Sequence, residues 1–279
     1  MKKKALIATY FGELPFWFPA FQLSCKYNPE ITWIIFTDSP KQKDCPDNLI
    51  FKKLSLYEFC KIASAKIGTK INLSEKFLYK ICDFKPAFGL IYEDYIQGYD
   101  FWGHCDLDVV FGRVGNFITN EILEKYDIIT SRKRRISGHF CLYRNTKEIN
   151  SIFLHIPCLI KLLKDCGNYQ RIDEELFSVY LNKLVSPSFL SRIKVIFIKR
   201  YVPRIYWDKS LTTSGKCQRC LISNGNKSFR WSKGKVYDHE ENELMYIHFH
   251  ILKRLDSFKN CSIRNDEGDI FISPSGIEV

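Results

Sequence analysis

Asp106 and Asp108 stand one residue apart in Gly103-His104-Cys105-Asp106-Leu107-Asp108-Val109-Val110-Phe111-Gly112, where an aromatic strand runs into two acids. Carboxylates so spaced at a strand end are arranged to share a hard cation with the phosphates of a ligand. An Asp-x-Asp triplet is common by chance, and its ordinary reading is a solvated loop or a helix cap. Here apolar residues enclose it on both sides, and burying an unpaired carboxylate is costly. A divalent ion satisfies both acids at once. Cys217 and Cys220 form a lone Cys-x-x-Cys, but zinc needs two more ligands and His239 is not at a recognisable spacing, so the pair reads as reduced thiols. No Gly-x-Gly-x-x-Gly or Walker loop is present, which leaves classical dinucleotide and ATP sites without support.

The chain that must position these residues has 279 residues, 46% of them hydrophobic, with 42 Lys and Arg against 31 Asp and Glu for a net charge of +11. That apolar fraction belongs to a globular protein and excludes disordered, collagen-like and low-complexity classes. A chain of this length can bury one continuous core without metal or disulfide staples. No apolar run approaches the ~18 residues that a membrane span needs. The start, Met1-Lys2-Lys3-Lys4 and then Ala5 to Tyr10, reads as a first strand rather than a signal peptide, and 11 scattered cysteines fit a reducing cytoplasm. The positive surplus implies anionic partners. It concentrates in Arg132-Lys133-Arg134-Arg135, which suits a hold on an anionic acceptor but reads rather as a solvated loop, and between Ser191 and Arg204. The basic aromatic stretch from Phe189 to Trp207 suits either a plain strand with charged flanks or a peripheral contact with the anionic inner face of a membrane.

Short β-type runs alternate with helical segments over the first 110 residues, the pattern of an α/β domain with a largely parallel sheet. Strands are expected at Lys4 to Thr9, Ile31 to Asp38 and Asn48 to Leu54, the second stopped by Asp38-Ser39-Pro40. Apolar spacing predicts helices over Leu14 to Pro29, Ser55 to Gly68 and Phe84 to Gln97, with Ser55 and Glu58 as a capping box. Tyr126 to Ser131 and His139 to Tyr143 read as strands around the basic turn, Ile149 to Cys166 as an amphipathic helix and Asp173 to Leu184 as a shorter one. From about Val185 glycine and serine punctuate short aromatic pieces, and Ser223-Asn224-Gly225-Asn226 reads as a hairpin turn, so the end of the chain is expected to be an irregular β-rich extension.

Strand one ending in Thr9-Tyr10-Phe11-Gly12, the segment Tyr79-Lys80-Ile81-Cys82-Asp83-Phe84-Lys85-Pro86, the Asp106-Leu107-Asp108 block and the late Tyr246-Ile247-His248-Phe249-His250 together resemble nucleotide-sugar-dependent glycosyltransferases of the GT-A fold. The resemblance is nearest to a bacterial group that acts in polysaccharide biosynthesis, and it runs in order over most of residues 1–255. It implies a Rossmann-like α/β fold, a mostly parallel mixed sheet flanked by helices. The catalytic domain would cover 1–255, split at about residue 112 into a nucleotide-binding and an acceptor-side half, with a C-terminal tail over 256–279.

The resemblance also implies roles. Thr9, Tyr10 and Phe11 would lie beside the donor's base and ribose, Asp38 would contact the base or ribose, and Asp83 and Lys85 would bind the donor. Asp106 and Asp108 would hold Mn²⁺ or Mg²⁺ against the donor diphosphate, with His248 as third ligand; strand alternation puts His248 and His250 on one face, and either can be that ligand. Lys253 and Arg254 would neutralise the departing diphosphate. If the reaction inverts, Asp173 or Glu174 would deprotonate the acceptor hydroxyl, although acids at a helix N-terminus are favoured there anyway. Gly138 and His139 would line the acceptor pocket. The partners implied are a UDP-sugar and a surface glycan or lipid-linked glycan, with no nucleic acid. Two other classes stay open: a basic nucleic-acid-binding protein, which lacks any recognised motif, and a metal-dependent nucleotidyltransferase, which also uses paired aspartates.

Overall fold

β1 (Lys4–Tyr10) is apolar on both faces, and Ala5, Leu6 and Ile7 are fully buried, because it runs through the middle of a sheet that is covered on both sides. The computed structural model describes residues 2–165, 167–186, 201–208, 211–212, 215–223, 228–263 and 268–279. β1 pairs in parallel with β2 (Ile31–Thr37) and with β4 (Phe101–Cys105), and β2 pairs in parallel with β3 (Leu49–Lys53). Beyond β4 come β7 (Phe140–Arg144), antiparallel to its neighbours, β6 (Ile128–Thr130) and β8 (Ile205–Trp207), giving the order β3-β2-β1-β4-β7-β6-β8. A Cβ at Gly103 would run into the Cys141 carbonyl, so glycine allows β4 and β7 to close up. The α/β class and the mostly parallel mixed sheet flanked by helices are as the sequence implied.

Alternation along β1 feeds two cores. Ala5 and Ile7 face α2 (Leu56–Ile67) and the Phe59, Phe84 and Tyr92 rings, while Leu6 and Ala8 share the other layer with α1 (Phe18–Lys26), Trp33 and Phe111. α2 is bounded as its sequence dictates: Ser55 and Glu58 form the reciprocal capping box, and Gly68 ends the helix at φ 75°. α1 is shorter than the expected helix from Leu14, starting at Phe18 with a proline in its first turn.

Three other helices differ from expectation for identifiable reasons. Phe84 to Gln97 is not one helix: Glu75–Ala87 winds as a 3-10 helix containing Pro86, and Phe88–Ile91 forms a single α turn whose Gly89 lies directly under the Trp102 indole. Ile149 to Cys166 breaks into Lys147–Ser151, Ile152–His155 and Leu159–Lys164, divided at Pro157 and at Cys158, which has φ 58°. The acids expected to open a helix at Asp173 lie instead in a wide π turn, Ile172–Leu176, that leads into the helix Phe177–Val185.

The β-rich C-terminal region is present. β9 (Phe229–Ser232), β10 (Lys235–Tyr237), β11 (Glu243–Leu244), β13 (Asn260–Cys261), β14 (Ile270–Ser273) and β15 (Gly276–Glu278) make a six-stranded sheet in which β14 pairs directly with β9. The boundary expected at residue 255 therefore falls inside one sheet. A hairpin turn lies at Lys233 and Gly234, both at positive φ; Asn224 to Asn226 of the turn expected at Ser223 to Asn226 lie outside the described residues. The side chains of Cys217 and Cys220 and residues 187–200 of the basic aromatic stretch also lie outside them. Among the described residues, no helix is long and apolar enough to cross a membrane. Separately, β5 (Val109–Phe111) pairs with β12 (Tyr246–His248), which ties the end of the chain to the Asp-x-Asp loop.

Candidate active site

A cleft of about 840 Å³ opens where β1 and β4 end. The short loop between β4 and β5 crosses its floor, anchored by the Asp106 amide donating to the His139 carbonyl (3.2 Å) and the Phe249 amide donating to the Asp108 carbonyl (3.1 Å). Antiparallel pairing sets His248 opposite Val109, and so brings its imidazole to Asp108 from 140 residues away: Nε2 lies 3.2 Å from the Asp108 carboxylate. One ligand atom each from Asp106, Asp108 and His248 lies within 4.8 Å of the others.

Each acid already has a cation. Lys253 Nζ is 2.7 Å from Asp108 Oδ2, and the buried Lys85 Nζ is 2.5 Å from Asp106 Oδ1 and 2.7 Å from the Gly138 carbonyl. Burial would raise the Asp108 carboxyl, but His248 and Lys253 override it and hold the group well below the usual carboxylate range. Burial likewise opposes charge on Lys85, and Asp106 outweighs it to keep the amine protonated. Three imidazoles stack beside these groups, His139 on His248 at 4.0 Å between ring centres and His248 on His250 at 4.6 Å. Burial, reinforced by His248, keeps His139 neutral and lowers His250 to about 4.

Two observations bear on a metal. The donor set is two carboxylates and one imidazole without a thiol, which suits Mn²⁺ or Mg²⁺. Ligand atoms about 2.1 Å from one ion lie at most ~4.2 Å apart, and the three atoms here already lie within 4.8 Å of one another. In addition, both ring nitrogens of the buried His139 are without a hydrogen-bond partner on the cleft wall, and a ligand's hydroxyl would satisfy one of them.

Gly138, whose carbonyl Lys85 holds, leads to the second group of acids. Asp173 is buried, accepts a 2.6 Å hydrogen bond from the Tyr169 hydroxyl on Oδ1, and turns Oδ2 toward Gly138, where a Cβ would come within 2.8 Å. Burial pushes its carboxyl up to about 7 against the opposing pull of Lys85 and the Tyr169 hydroxyl, with Glu174 and Asp83 adding to the rise. Glu174 is spoken for: it accepts from the Gly138 amide (3.1 Å) and pairs with Arg135 (2.9 Å) and Arg132 (3.6 Å). The basic cluster is therefore not just a solvated loop, since two of its arginines line the cleft.

Thr9, Tyr10, Phe11, Lys85, Asp106, Asp108, Gly138, His139, Asp173, Glu174, His248, Lys253 and Arg254 all line this one cleft. Asp38 and Asp83 do not. Asp38 accepts the Gly12 amide at 2.8 Å and ties the loop after β1, while Asp83 is wholly buried in an ion pair with Lys80. Sequence reasoning missed Tyr169, Tyr79, Arg171 and Trp17 in the lining. Tyr169, four residues before Asp173, offered a signal only if the turn between them was known.

A family profile matches residues 6–279, that of a family of unknown function, DUF6625. The chain belongs to the DUF6625 family. No curated protein matches this member in sequence. Among solved structures it is similar to core-mannan synthase A from Aspergillus fumigatus in its Mn/GDP form, at 11% identity over 65% of this chain and 70% of that one, with a TM-score of 0.40. It is similar also to the galactosyltransferase LgtC in complex with donor and acceptor sugar analogues, at 10% identity over 88% and 87% with a TM-score of 0.48. A third is the apo form of the glycosyltransferase GlyE of Streptococcus pneumoniae TIGR4, at 10% identity over 94% and 57% with a TM-score of 0.44. Likeness at this level assigns neither activity nor residues to this DUF6625 chain.

Proposed function

We propose that this protein is a divalent-metal-dependent glycosyltransferase that moves a sugar from a nucleotide-sugar, a UDP-sugar, to a hydroxyl of a surface glycan or lipid-linked glycan. One observation carries the reading: a single cleft holds a carboxylate, carboxylate and imidazole set, the two lysines that pair with those carboxylates, and a further buried acid, Asp173. Asp106, Asp108 and His248 would hold Mn²⁺ or Mg²⁺, which when bound offsets charge on a leaving diphosphate. Six basic and four acidic side chains line the cleft, so it attracts a multiply charged anion even before a metal adds to it. Lys253, paired with Asp108, and Arg254 also line the cleft and would supply charge-assisted donors to phosphate oxygens. Because Lys85 and Lys253 now neutralise the two aspartates, phosphate arrival gives the lysines another partner and frees the carboxylates for the ion. Metal and nucleotide are then taken up together.

On the acceptor side Asp173 is poised near neutrality, where a general base both accepts and releases a proton readily. Tyr169 occupies Oδ1, which leaves Oδ2 for a substrate hydroxyl in the space that Gly138 keeps open. The test is a thermal-shift panel of UDP, GDP, CMP and their common sugars, with and without Mn²⁺, on wild type and Asp108→Asn. A metal-dependent rise with one nucleotide, lost in the variant, is expected; no rise with any nucleotide would overturn the reading. Release of pyrophosphate in place of a nucleoside diphosphate would identify a nucleotidyltransferase instead.

A further inference from the structure

Behind the acceptor wall lies a buried ion pair that the transfer chemistry does not touch. Lys80 and Asp83 have no side-chain exposure and meet at 2.8 Å, and Lys80 Nζ also donates to the Leu162 carbonyl at 2.7 Å. Asp83 uses its remaining capacity on the backbone that leads to Asp173. Its Oδ2 accepts the Gln170 amide and its Oδ1 accepts the Ile172 amide, each at 2.8 Å. These two amides flank Arg171, a non-glycine residue at φ 56°, a conformation disfavoured for an L side chain. The π turn that carries Asp173 starts at the next residue, with the Glu175 amide bonding back to the Arg171 carbonyl at 2.8 Å.

A fully buried charge pair is a weak source of net stability, because desolvating both ions offsets their attraction. What this pair does well is geometric. Two fixed acceptors on one rigid carboxylate hold the backbone on either side of a strained residue, and the next side chain along is Asp173. We propose that the Lys80–Asp83 pair is a positioning device that clamps the Gln170 to Ile172 turn and so holds the Asp173 carboxyl buried against the cleft. The proposal rests on the reading of Asp173 as the acceptor-side base, and it reassigns Asp83 from donor binding to the support of that base.

The groups around Asp173 are known from every neighbouring element. Lys85, Asp83, Tyr79 and Cys82 face it from the 3-10 segment Glu75–Ala87, Tyr169 from the clamped turn, Glu174 from the π turn itself and Tyr143 from β7. Of these only Asp83 both carries charge and fixes the turn. Removing Lys80 and Asp83 together cancels the change in charge, so a loss of position shows on its own.

The experiment follows the Asp173 side-chain carboxyl by ¹³C NMR titration in the full-length protein, its signal assigned by its absence in Asp173→Asn. The variants are Lys80→Met/Asp83→Asn, which removes both charges, and Asp83→Asn alone, which keeps the volume and one accepted hydrogen bond. Wild type is expected to titrate near 7. In the double variant the released turn admits water, and the midpoint is expected to fall by about two pH units toward the ordinary value for an aspartate. Calorimetric binding of UDP with Mn²⁺ is expected to stay within about threefold of wild type, because the floor of the cleft is untouched. A folded double variant with the wild-type midpoint overturns the proposal; should the double variant not fold, the same result in Asp83→Asn overturns it. Absence of UDP and Mn²⁺ binding in wild type would count against the transferase alone, since the carboxyl titration reads the clamp without any ligand.

Discussion

Replacing Asp173 by asparagine is expected to stabilise the protein at alkaline pH while removing transfer. The carboxyl is moved from its ordinary 3.8 to about 7 by burial. A carboxyl that is harder to ionise in the fold than in the unfolded chain holds its proton more tightly in the native state, so stability is greatest below about pH 4 and declines as pH rises to about 7. A shift of about three pH units corresponds to roughly 4 kcal/mol lost above pH 8. The asparagine's own buried NH₂, left without an acceptor, offsets part of the gain on substitution, which leaves about 2 kcal/mol. The substituted asparagine would keep the Tyr169 hydrogen bond on its amide oxygen and carry no charge. Thermal unfolding should therefore show a rise in Tm of about 4–6 °C at pH 8.5, and less than half that at pH 5. Loss of a general base typically lowers turnover by ~10² to 10⁴-fold. An equal Tm change at both pH values, or a fall at pH 8.5, would refute the assignment of Asp173 as a buried, uncompensated acid.

Asp108→Asn should lower the affinity for Mn²⁺ with UDP by at least about tenfold, seen by calorimetry, because it weakens one of three ligands and releases Lys253 and His248 from their shared carboxylate. For the wild type, UDP alone and Mn²⁺ alone should each bind more weakly than either does in the presence of the other, and equal affinities would show that the lysine pairs do not gate the metal. Gly138→Ala places a Cβ 2.8 Å from Asp173 Oδ2 and 3.0 Å from the Glu174 side chain, so transfer should fall by about ten- to a hundredfold with nucleotide binding unchanged. Ser55→Ala breaks the capping box of α2 remote from the cleft, and should cost about 1 kcal/mol in denaturant unfolding without altering nucleotide binding.

Local signals were legible and long-range ones were not. β1, β2 and β3 follow from runs of β-branched and aromatic residues, and α2 from a capping box and a terminal glycine, all of which act within a few residues. The helices over Phe84 to Gln97 and Ile149 to Cys166 have acceptable apolar spacing, but Pro86, Pro157 and the left-handed Cys158 break them. Gly89, which looks like a minor flaw in a helix, is required because Trp102 of β4 lies against it. The sequence alone cannot state that contact.

The cleft divides in the same way. Asp106 and Asp108 were recognisable as a pair because a single loop places both, whereas His248 reaches them only through the pairing of β12 with β5, and family resemblance was needed to connect them. Resemblance also misplaced Asp83. Asp83 and Lys85 are two residues apart on one 3-10 segment, and the tighter winding turns one carboxylate inward to Lys80 and the backbone while the lysine enters the cleft. A charged residue near a motif is as apt to hold the frame as to touch the ligand. What separates the two roles here is the fate of each polar atom: both oxygens of Asp83 are consumed by Lys80 and two amides, while Oδ2 of Asp173 and both nitrogens of His139 remain for something the chain does not itself supply.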